Sequence, residues 1–206
     1  MKRITLCALF LTLFLLSSCN TSGNATKDGQ AARSDGTIVD LVTITKNIKD
    51  SVAFANDVKD VHSLVKSIDE LAKAIGKKIK TDETGVLEAS TADQNEQLIA
   101  GAFQVILTVE TKLKLLEEPS AKISDACKKK VTEAKNANDV LLTKFKSSAK
   151  DNESVKKDAE AKKVIDRTDA SATDLKKLST VIDELLKSAN SAVESAINSL
   201  TISAKS

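Results

Sequence analysis

The sequence predicts an all-α protein: an antiparallel four-helix bundle with a long first helix, one additional short helix and a flexible N-terminal tether. Over most of the chain, apolar residues recur every three or four positions, which is the spacing of one face of an α-helix. Gly76, Gly85 and the single proline, Pro119, fall between these periodic segments, where helices end. No stretch shows the alternation expected of a half-buried strand. Amphipathic helices joined by short or moderate connections favour an antiparallel bundle.

The N-terminus has the features of an export signal. Lys2 and Arg3 precede the uncharged residues 4–16, which as a helix would reach only about 20 Å, short of the roughly 30 Å hydrocarbon core of a bilayer. This segment is therefore read as a signal peptide and not as a membrane span. Residues 16–19, Leu-Ser-Ser-Cys, match the bacterial lipobox, in which the chain is cut before a cysteine that receives lipid.

The lipobox predicts that residues 1–18 are a lipoprotein signal peptide and that Cys19 becomes an N-palmitoyl, S-diacylglycerol cysteine. Several acyl chains, at about 0.8 kcal/mol for each buried methylene, are enough for lasting attachment to a membrane. The alternative is an ordinary signal peptide in which Cys19 carries no lipid. Residues 19–36 contain little to bury and three glycines, which indicates a flexible tether with an end-to-end distance of about 23 Å. Residues 37–206 form the predicted helical-bundle domain.

The first predicted helix runs from just after Gly36 to Gly76 and would be about 57 Å long. The second begins near Thr91, with Asp93 as another candidate cap, and stops at Pro119. The third begins near Ser120. A polar stretch at residues 147–158 precedes a short helix at 159–165, and the last helix covers 170–200. The core face predicted for the third helix is Ile123, Cys127, Val131, Ala134, Asn138, Leu141 and Phe145.

Charge gives no indication of a nucleic-acid partner. The whole chain has 31 basic and 29 acidic residues, and loss of Lys2 and Arg3 with the signal peptide makes the mature chain formally neutral. One local basic group is a candidate polyanion-binding site, although such groups on helices are usually a solvated face. It consists of Lys156, Lys157, Lys162 and Lys163.

Cysteine usage agrees with export. Cys7 leaves with the signal peptide and Cys19 is acylated, so Cys127 is the remaining thiol and no intramolecular disulfide can form. Two interpretations of Cys127 stay open: pairing between two chains, or a small buried residue of a helix.

Residue patterns that carry catalysis are missing from the sequence. His62 is the sole histidine, so the usual zinc ligand sets cannot be assembled. Gly76-Lys77-Lys78 lacks the upstream glycine and the hydroxyl residue of a phosphate-binding loop. Ser63 and Lys66 have the S-x-x-K spacing without its companion motifs. We therefore predict no catalytic residue, no metal and no cofactor, and hence a protein that is not an enzyme.

Four segments are similar, in order, to segments of one family. They are SIDELAKAIGKKI at 67–79, IAGAFQVILTVETKLKLL at 99–116, KISDACKKKVTEA at 122–134 and LSTVIDELLKSANSAVESAINSL at 178–200. On these residues the chain resembles the outer surface protein C and variable small protein (Vsp) family of Borrelia lipoproteins. Its ending, TISAKS, differs from the proline-containing tail of the outer surface protein C branch, which favours the variable small protein branch.

The resemblance implies a homodimeric helical-bundle lipoprotein, attached to the cell outer membrane by its lipid and exposed on the cell surface. It implies a variable major antigen that meets host antibodies and serves antigenic variation and virulence. The alternatives are an adhesin for a host protein or glycosaminoglycan, and a surface protein of the vector-to-host transmission stage. The polar loops at 80–90 and 147–158 are the expected antibody-facing segments. The host ligand, the serotype and the route to the outer leaflet stay open.

Overall fold

In the computed structural model, the structure describes residues 30–32, 38–80, 86–117, 123–149 and 155–205. These residues form five helices and two short antiparallel ribbons, and the all-α class is confirmed. The elements are β1 (Gln30–Ala32), β2 (Ile38–Asp40), α1 (Leu41–Ala72), β3 (Lys77–Ile79), β4 (Leu87–Ala89), α2 (Glu96–Leu116), α3 (Asp125–Ala149), α4 (Asp158–Ile165) and α5 (Thr173–Lys205).

The described residues divide into two parts, which meet between Val42 and Thr43 of the chain. In the first part, β1 and β2 pair antiparallel, with Gln30 opposite Asp40 and Ala32 opposite Ile38. β1 lies inside the segment predicted as tether, so these three residues differ from that prediction. The signal peptide and Cys19 fall outside the residues that the structure describes, and those predictions are not tested by it.

Ion pairs between helices fix the antiparallel order of the second part. His62 Nε2 on α1 lies 2.9 Å from Asp183 Oδ1 on α5, and Lys112 Nζ on α2 lies 3.1 Å from Asp60 Oδ2 on α1. With a rise of about 1.5 Å per residue, α2 ends near the level of residue 56, while α1 continues beyond it. The first part of α1 therefore extends beyond the end of α2, and by the Lys130–Glu184 pair the last part of α5 extends beyond the start of α3.

We call residues 43–53 of α1 and 190–205 of α5 the stalk. No residue of 43–53 or 190–200 is fully buried, whereas burial begins at Phe54 on α1 and ends at Ala189 on α5. The long first helix is thus confirmed, but it does not exceed all its neighbours: α1 has 32 residues, hence about 48 Å and not 57 Å, and α5 has 33. Within the described ranges, no helix is long and apolar enough to cross a membrane.

Several predicted boundaries, and the prediction that strands are absent, are wrong. α1 ends at Ala72 because a turn at residues 73–76 follows it, and β3 and β4 form a ribbon where only a loop was predicted. α2 begins at Glu96 instead of Thr91, and α3 at Asp125 instead of Ser120. The short helix is confirmed as α4.

The core of the second part is aliphatic, as the periodicity predicts. On α3 the predicted face is confirmed: six of its residues are buried and Ile123 packs against them partly exposed. The rings of Phe103 and Phe145 lie 5.8 Å apart, tilted by 41°. The four long helices, α1, α2, α3 and α5, contribute side chains to this core. The connections at one end of the bundle lie on its surface.

Candidate functional site

The candidate site is the end of the bundle at which α1 stops and α5 begins, opposite the stalk. We call it the distal end; it comprises the turn at 73–76, the β3–β4 ribbon, residues 90–95 and residues 155–172. It contains all four lysines of the candidate polyanion group and, of the loops expected to face antibodies, residues 80, 86–90 and 155–158; residues 147–149 belong to α3, and residues 81–85 and 150–154 lie outside the described residues.

Asn95 joins three segments of the distal end. Its side chain is buried and its Nδ2 donates hydrogen bonds to the carbonyl oxygen of Lys156 at 2.7 Å and to Oδ1 of Asp158 at 2.8 Å. Its Oδ1 accepts a hydrogen bond from the backbone N–H of Gly76 at 3.2 Å. A buried amide with these partners is well satisfied, so Asn95 fixes the turn after α1 and the start of α4 against the start of α2.

Gly76 lies at the tightest point of this junction. Its φ of 68° is in the left-handed region, which side chains other than glycine rarely adopt without cost. A Cβ atom at this position would lie 2.2 Å from Asp158 Oδ2. Its carbonyl oxygen also accepts a hydrogen bond from Ser90 N at 2.8 Å, which anchors the base of the ribbon. Glycine is therefore required here by both conformation and space.

A second junction is built around Arg167, in the connection between α4 and α5. Its Nε donates to Asp69 Oδ1 at 2.6 Å and its Nη2 donates to Asp69 Oδ2, so the pair is bidentate. Its Nη1 donates to Oγ of the buried Ser179 on α5. A cleft of about 440 Å³ opens beside this cluster, lined by Asp69, Ala72, Lys73, Asp166, Arg167 and Thr168.

Asp166 shapes the chain just before Arg167. Its Oδ1 accepts hydrogen bonds from Thr168 Oγ1 at 2.7 Å and from Thr168 N at 2.8 Å. These bonds, the side-chain bond first, hold the pKa of Asp166 below its usual value, against the opposing effect of burial. Glu133 lies on the side of the bundle, away from this end. A hydrogen bond from the Lys130 side chain lowers its pKa in the same way.

We expect the protein to lose stability as the pH falls below about 4. A carboxyl group whose pKa is lower in the folded than in the unfolded state stabilises the fold above the unfolded pKa, and protonation removes this contribution. Urea denaturation at a series of pH values measures it. Asp166→Asn keeps the acceptor for Thr168 and should flatten part of the acid dependence; an unchanged profile would contradict the assignment to Asp166.

The structure places the four candidate lysines on α4 or immediately before it. Lys157, Lys162 and Lys163 are exposed, and Lys156 is partly buried. Lys163 Nζ is paired with Glu160 Oε1 at 2.6 Å, so the group is interspersed with acidic residues. This part of the surface therefore carries charges of both signs, with an excess of lysine.

Sequence reasoning missed that a second pair of lysines lies beside this group. Because Gly76 is in contact with Asp158, Lys77 and Lys78 begin the ribbon next to the segment that carries Lys156 and Lys157. Lys77 is exposed, whereas Lys78 Nζ lies 3.3 Å from Glu88 Oε1 on the neighbouring strand. The two lysine pairs are separated in sequence by the whole of α2 and α3, so only the fold reveals their proximity.

The ribbon also exposes large aliphatic side chains. Ile79 and Leu87 are directly opposite each other in the antiparallel register, and they are 71% and 46% exposed. Val86, the next residue along, is 55% exposed. Apolar side chains standing in solvent at the distal end are accessible to a binding protein.

The remaining candidate residues are structural. Cys127 is 1% exposed and its Sγ lies 3.3 Å from Ser188 Oγ, which favours the buried interpretation over a bridge between chains. His62 lies on the surface of α1, paired with Asp183. Among the residues with described positions, no group of three potential ligands is placed to hold a metal ion.

These features define a helical-bundle protein whose candidate site is an exposed end made of loops and a ribbon. A family model described as "Lipoprotein" matches residues 38–206. The chain belongs to this lipoprotein family, which includes the variable small proteins and outer surface protein C.

Individual relatives agree with this membership. The chain is 65% identical to variable small protein 11 of Borrelia hermsii over 206 residues, which is 100% of this chain and 99% of the relative. It is 39% identical to an outer surface protein C of Borreliella burgdorferi, over 98% of this chain and 95% of the relative. The solved structure of variable small protein 1 of Borrelia turicatae is 54% identical, with a TM-score of 0.71, covering 78% of this chain and 99% of that one. The higher identities support the variable small protein branch.

Proposed function

We propose that this protein is a surface-exposed lipoprotein of the cell outer membrane that acts as a variable major antigen. Its relatives are variable small proteins and outer surface protein C, and its N-terminus carries a lipobox ending at Cys19. The observation that carries the proposal is the arrangement of the bundle: the chain enters through α1 at the stalk, and the ribbon and loops lie at the opposite end. A body anchored through its N-terminus in this way presents the distal end to antibodies.

Because different residues form the core and the surface, substitutions on the surface should change the stability of the fold very little. The fold depends on the buried stripes of the helices, and cores of this kind tolerate changes that preserve size and pattern. Exposed positions away from special contacts usually change stability by less than about 0.5 kcal/mol when substituted. The ribbon and the exposed face of α4 can therefore differ between variants, provided that Gly76, Asn95 and Asp158 are kept.

Growth of the bacterium under antiserum tests the antigen role. The expressed gene copy is sequenced before and after selection, and protease added to intact cells reports whether the protein is on the surface. We expect escaped cells to express a different copy and protease to remove the protein. An unchanged copy in escaped cells, or full protection from protease, would contradict the proposal.

We also propose that the protein is a homodimer, with the stalk contributing to the contact. Two helices alone cannot enclose their apolar stripes, and the stalk residues Ile44, Ile48, Val193 and Ile197 are only partly buried. A second copy would cover them, since helix pairs with apolar seams associate in water. Analytical ultracentrifugation of the chain without lipid should give the mass of two subunits; the mass of one subunit would contradict the dimer.

A second candidate function is adhesion to a host polyanion such as a glycosaminoglycan. The observation that favours it is that Asn95 binds both Gly76, which precedes Lys77 and Lys78, and the backbone of Lys156, so that the two lysine-bearing segments start from one junction. Sulfate groups of a polyanion would be attracted by several ammonium groups on one surface, and the interaction would weaken with salt.

Replacing the four lysines of the candidate group by glutamine should reduce retention on immobilised heparin at low salt by about tenfold or more, if each exposed lysine contributes about 0.4 kcal/mol or more. The group is Lys156, Lys157, Lys162 and Lys163. A control removes the same charge far from the distal end, by replacing Lys46, Lys49 and Lys59 on α1 and Lys187 on α5. Equal loss in both variants, or no retention of the parent protein, would rule out this site.

A further inference from the structure

Asn138 is a polar residue in the core of the bundle. Its side chain is 0% exposed, and neither its Oδ1 nor its Nδ2 has a hydrogen-bond partner among the described residues. Buried amides in folded proteins nearly always have a partner. An amide without one lowers stability, because it gives up its hydrogen bonds to water when the protein folds. At Asn138 the closed bundle is therefore less stable than an entirely apolar stripe on α3 would make it.

The two halves of α3 bury side chains of different size. We define the first half as residues 125–138 and the second half as residues 139–149. Besides Asn138, the buried residues of the first half are Cys127, Val131, Ala134 and Ala137. The buried residues of the second half are Leu141, Leu142 and Phe145. Because hydrophobic stabilisation grows with the apolar area removed from water, each buried residue of the first half holds the helix less strongly.

The polar contacts of α3 differ between the halves in the same direction. In the second half, Lys144 Nζ donates hydrogen bonds to two backbone oxygens, one on α4 and one in the connection that follows it. In the first half, ion pairs join Lys130 to Glu184 on α5 and Lys135 to Glu117 just after α2. These four side chains are between 28% and 51% exposed, and ion pairs exposed to solvent contribute little to stability.

We propose that the first half of α3 is an opening segment, which separates from α2 and α5 while the rest of the bundle stays folded. Proteins open locally in cooperative units, with free energies below that of global unfolding. The amide of Asn138 favours the open form, because water satisfies its hydrogen bonds there. The consequence is access to the core: Cys127, which is 1% exposed in the closed bundle, meets solvent when the segment opens.

Reaction of Cys127 with the thiol reagent DTNB measures the opening. The mature chain carrying Cys19→Ala is used, since Cys127 is then its only thiol. The labelling rate of the folded chain, divided by that of the chain unfolded in urea, gives the equilibrium constant for opening. The reagent is kept in the range where the rate is proportional to its concentration. We expect this constant to exceed the constant for global unfolding, obtained from urea denaturation, by about tenfold or more.

Asn138→Leu should lower the opening constant by about tenfold or more, because leucine removes the unsatisfied amide from the closed form. Asn136→Leu is the matched control, since it makes the same change at an exposed position of the same helix and should alter the constant by less than about twofold. An opening constant equal to that of global unfolding would overturn the proposal. Labelling that Asn138→Leu does not slow would also overturn it, because fraying of the helix end would then expose the thiol, or the amide would have partners in the folded state.

Hydrogen exchange of the parent chain, followed by mass spectrometry, gives a second readout that does not depend on a variant folding. We expect the backbone amides of residues 131–138 to exchange about tenfold or more faster than those of residues 175–189 on α5, although both segments contribute to the same core. Equal protection of the two segments would overturn the proposal.

Discussion

Replacing Gly76 with alanine is expected to lower the free energy of unfolding by about 2–4 kcal/mol. The methyl group would be placed on a backbone with φ of 68°, and it would meet Asp158 Oδ2 at 2.2 Å. Asp158 must then move, which strains its hydrogen bond from Asn95 Nδ2. The loss therefore combines backbone strain with a weakened buried amide network.

Gly101 provides the matched control. It lies inside α2 on an exposed face, and a Cβ atom added there would have no neighbour within 4 Å. Gly101→Ala should raise the free energy of unfolding by about 0.5–1 kcal/mol, because alanine is the better helix former. Urea denaturation followed by far-UV circular dichroism measures both variants, since the chain has no Trp or Tyr to report by fluorescence. A Gly76→Ala protein as stable as its parent would contradict the requirement for glycine at this junction.

The helices could be predicted from the sequence because their signal is local and repeated. A stripe such as Val131, Ala134, Asn138 and Leu141 continues over several turns. Its helical period can therefore be recognised even when the first and last residues of the helix are uncertain. The order of the helices and the length of α1 relative to α2 follow from the same pattern. These features determined the class of fold before any contact between helices was known.

The ribbons were missed because each strand has only three residues, too few for alternation to be recognised. The start of α2 was misplaced for a different reason. Thr91 and Asp93 are good N-cap residues by type. The residue at the N-cap position is Asn95, whose side chain forms hydrogen bonds with other segments of the chain instead of capping α2.

The candidate site could be predicted only in part. A group of lysines close together in sequence is visible to inspection, which is why Lys156 and Lys157 were identified. The contact of Gly76 with Asp158, and the pairing of Arg167 with Asp69, join residues far apart in the chain. One sequence contains no record of such contacts. Asn138 was correctly placed in the core, but its unsatisfied amide becomes apparent only when the surrounding helices are in position.

Replacing Cys19 with alanine should detach the protein from the membrane almost completely. A single acyl chain gives only marginal binding, with an association constant of about 10⁴ M⁻¹, whereas two or more make attachment lasting. No helix in the described part of the chain is long and apolar enough to cross a membrane, and residues 4–16 are too short to span a bilayer. Without the lipid, the fold should persist, because Cys19 lies in the segment that precedes the bundle.

Metabolic labelling with palmitate and separation of membranes from soluble material measure this effect. We expect the label to disappear with Cys19→Ala and the membrane-bound fraction to fall from nearly all of the protein to a small remainder. Cys127→Ala is the control, since it removes the other cysteine of the mature chain from a buried position and should leave both label and membrane attachment unchanged. If Cys19→Ala still carried the label and stayed with the membrane, another residue would have to hold the anchor, and display of the distal end by an N-terminal tether would be wrong. If the label were lost but the protein remained attached, the surface of the bundle itself would bind the membrane, and the aliphatic residues Ile79 and Leu87 would be the first positions to change.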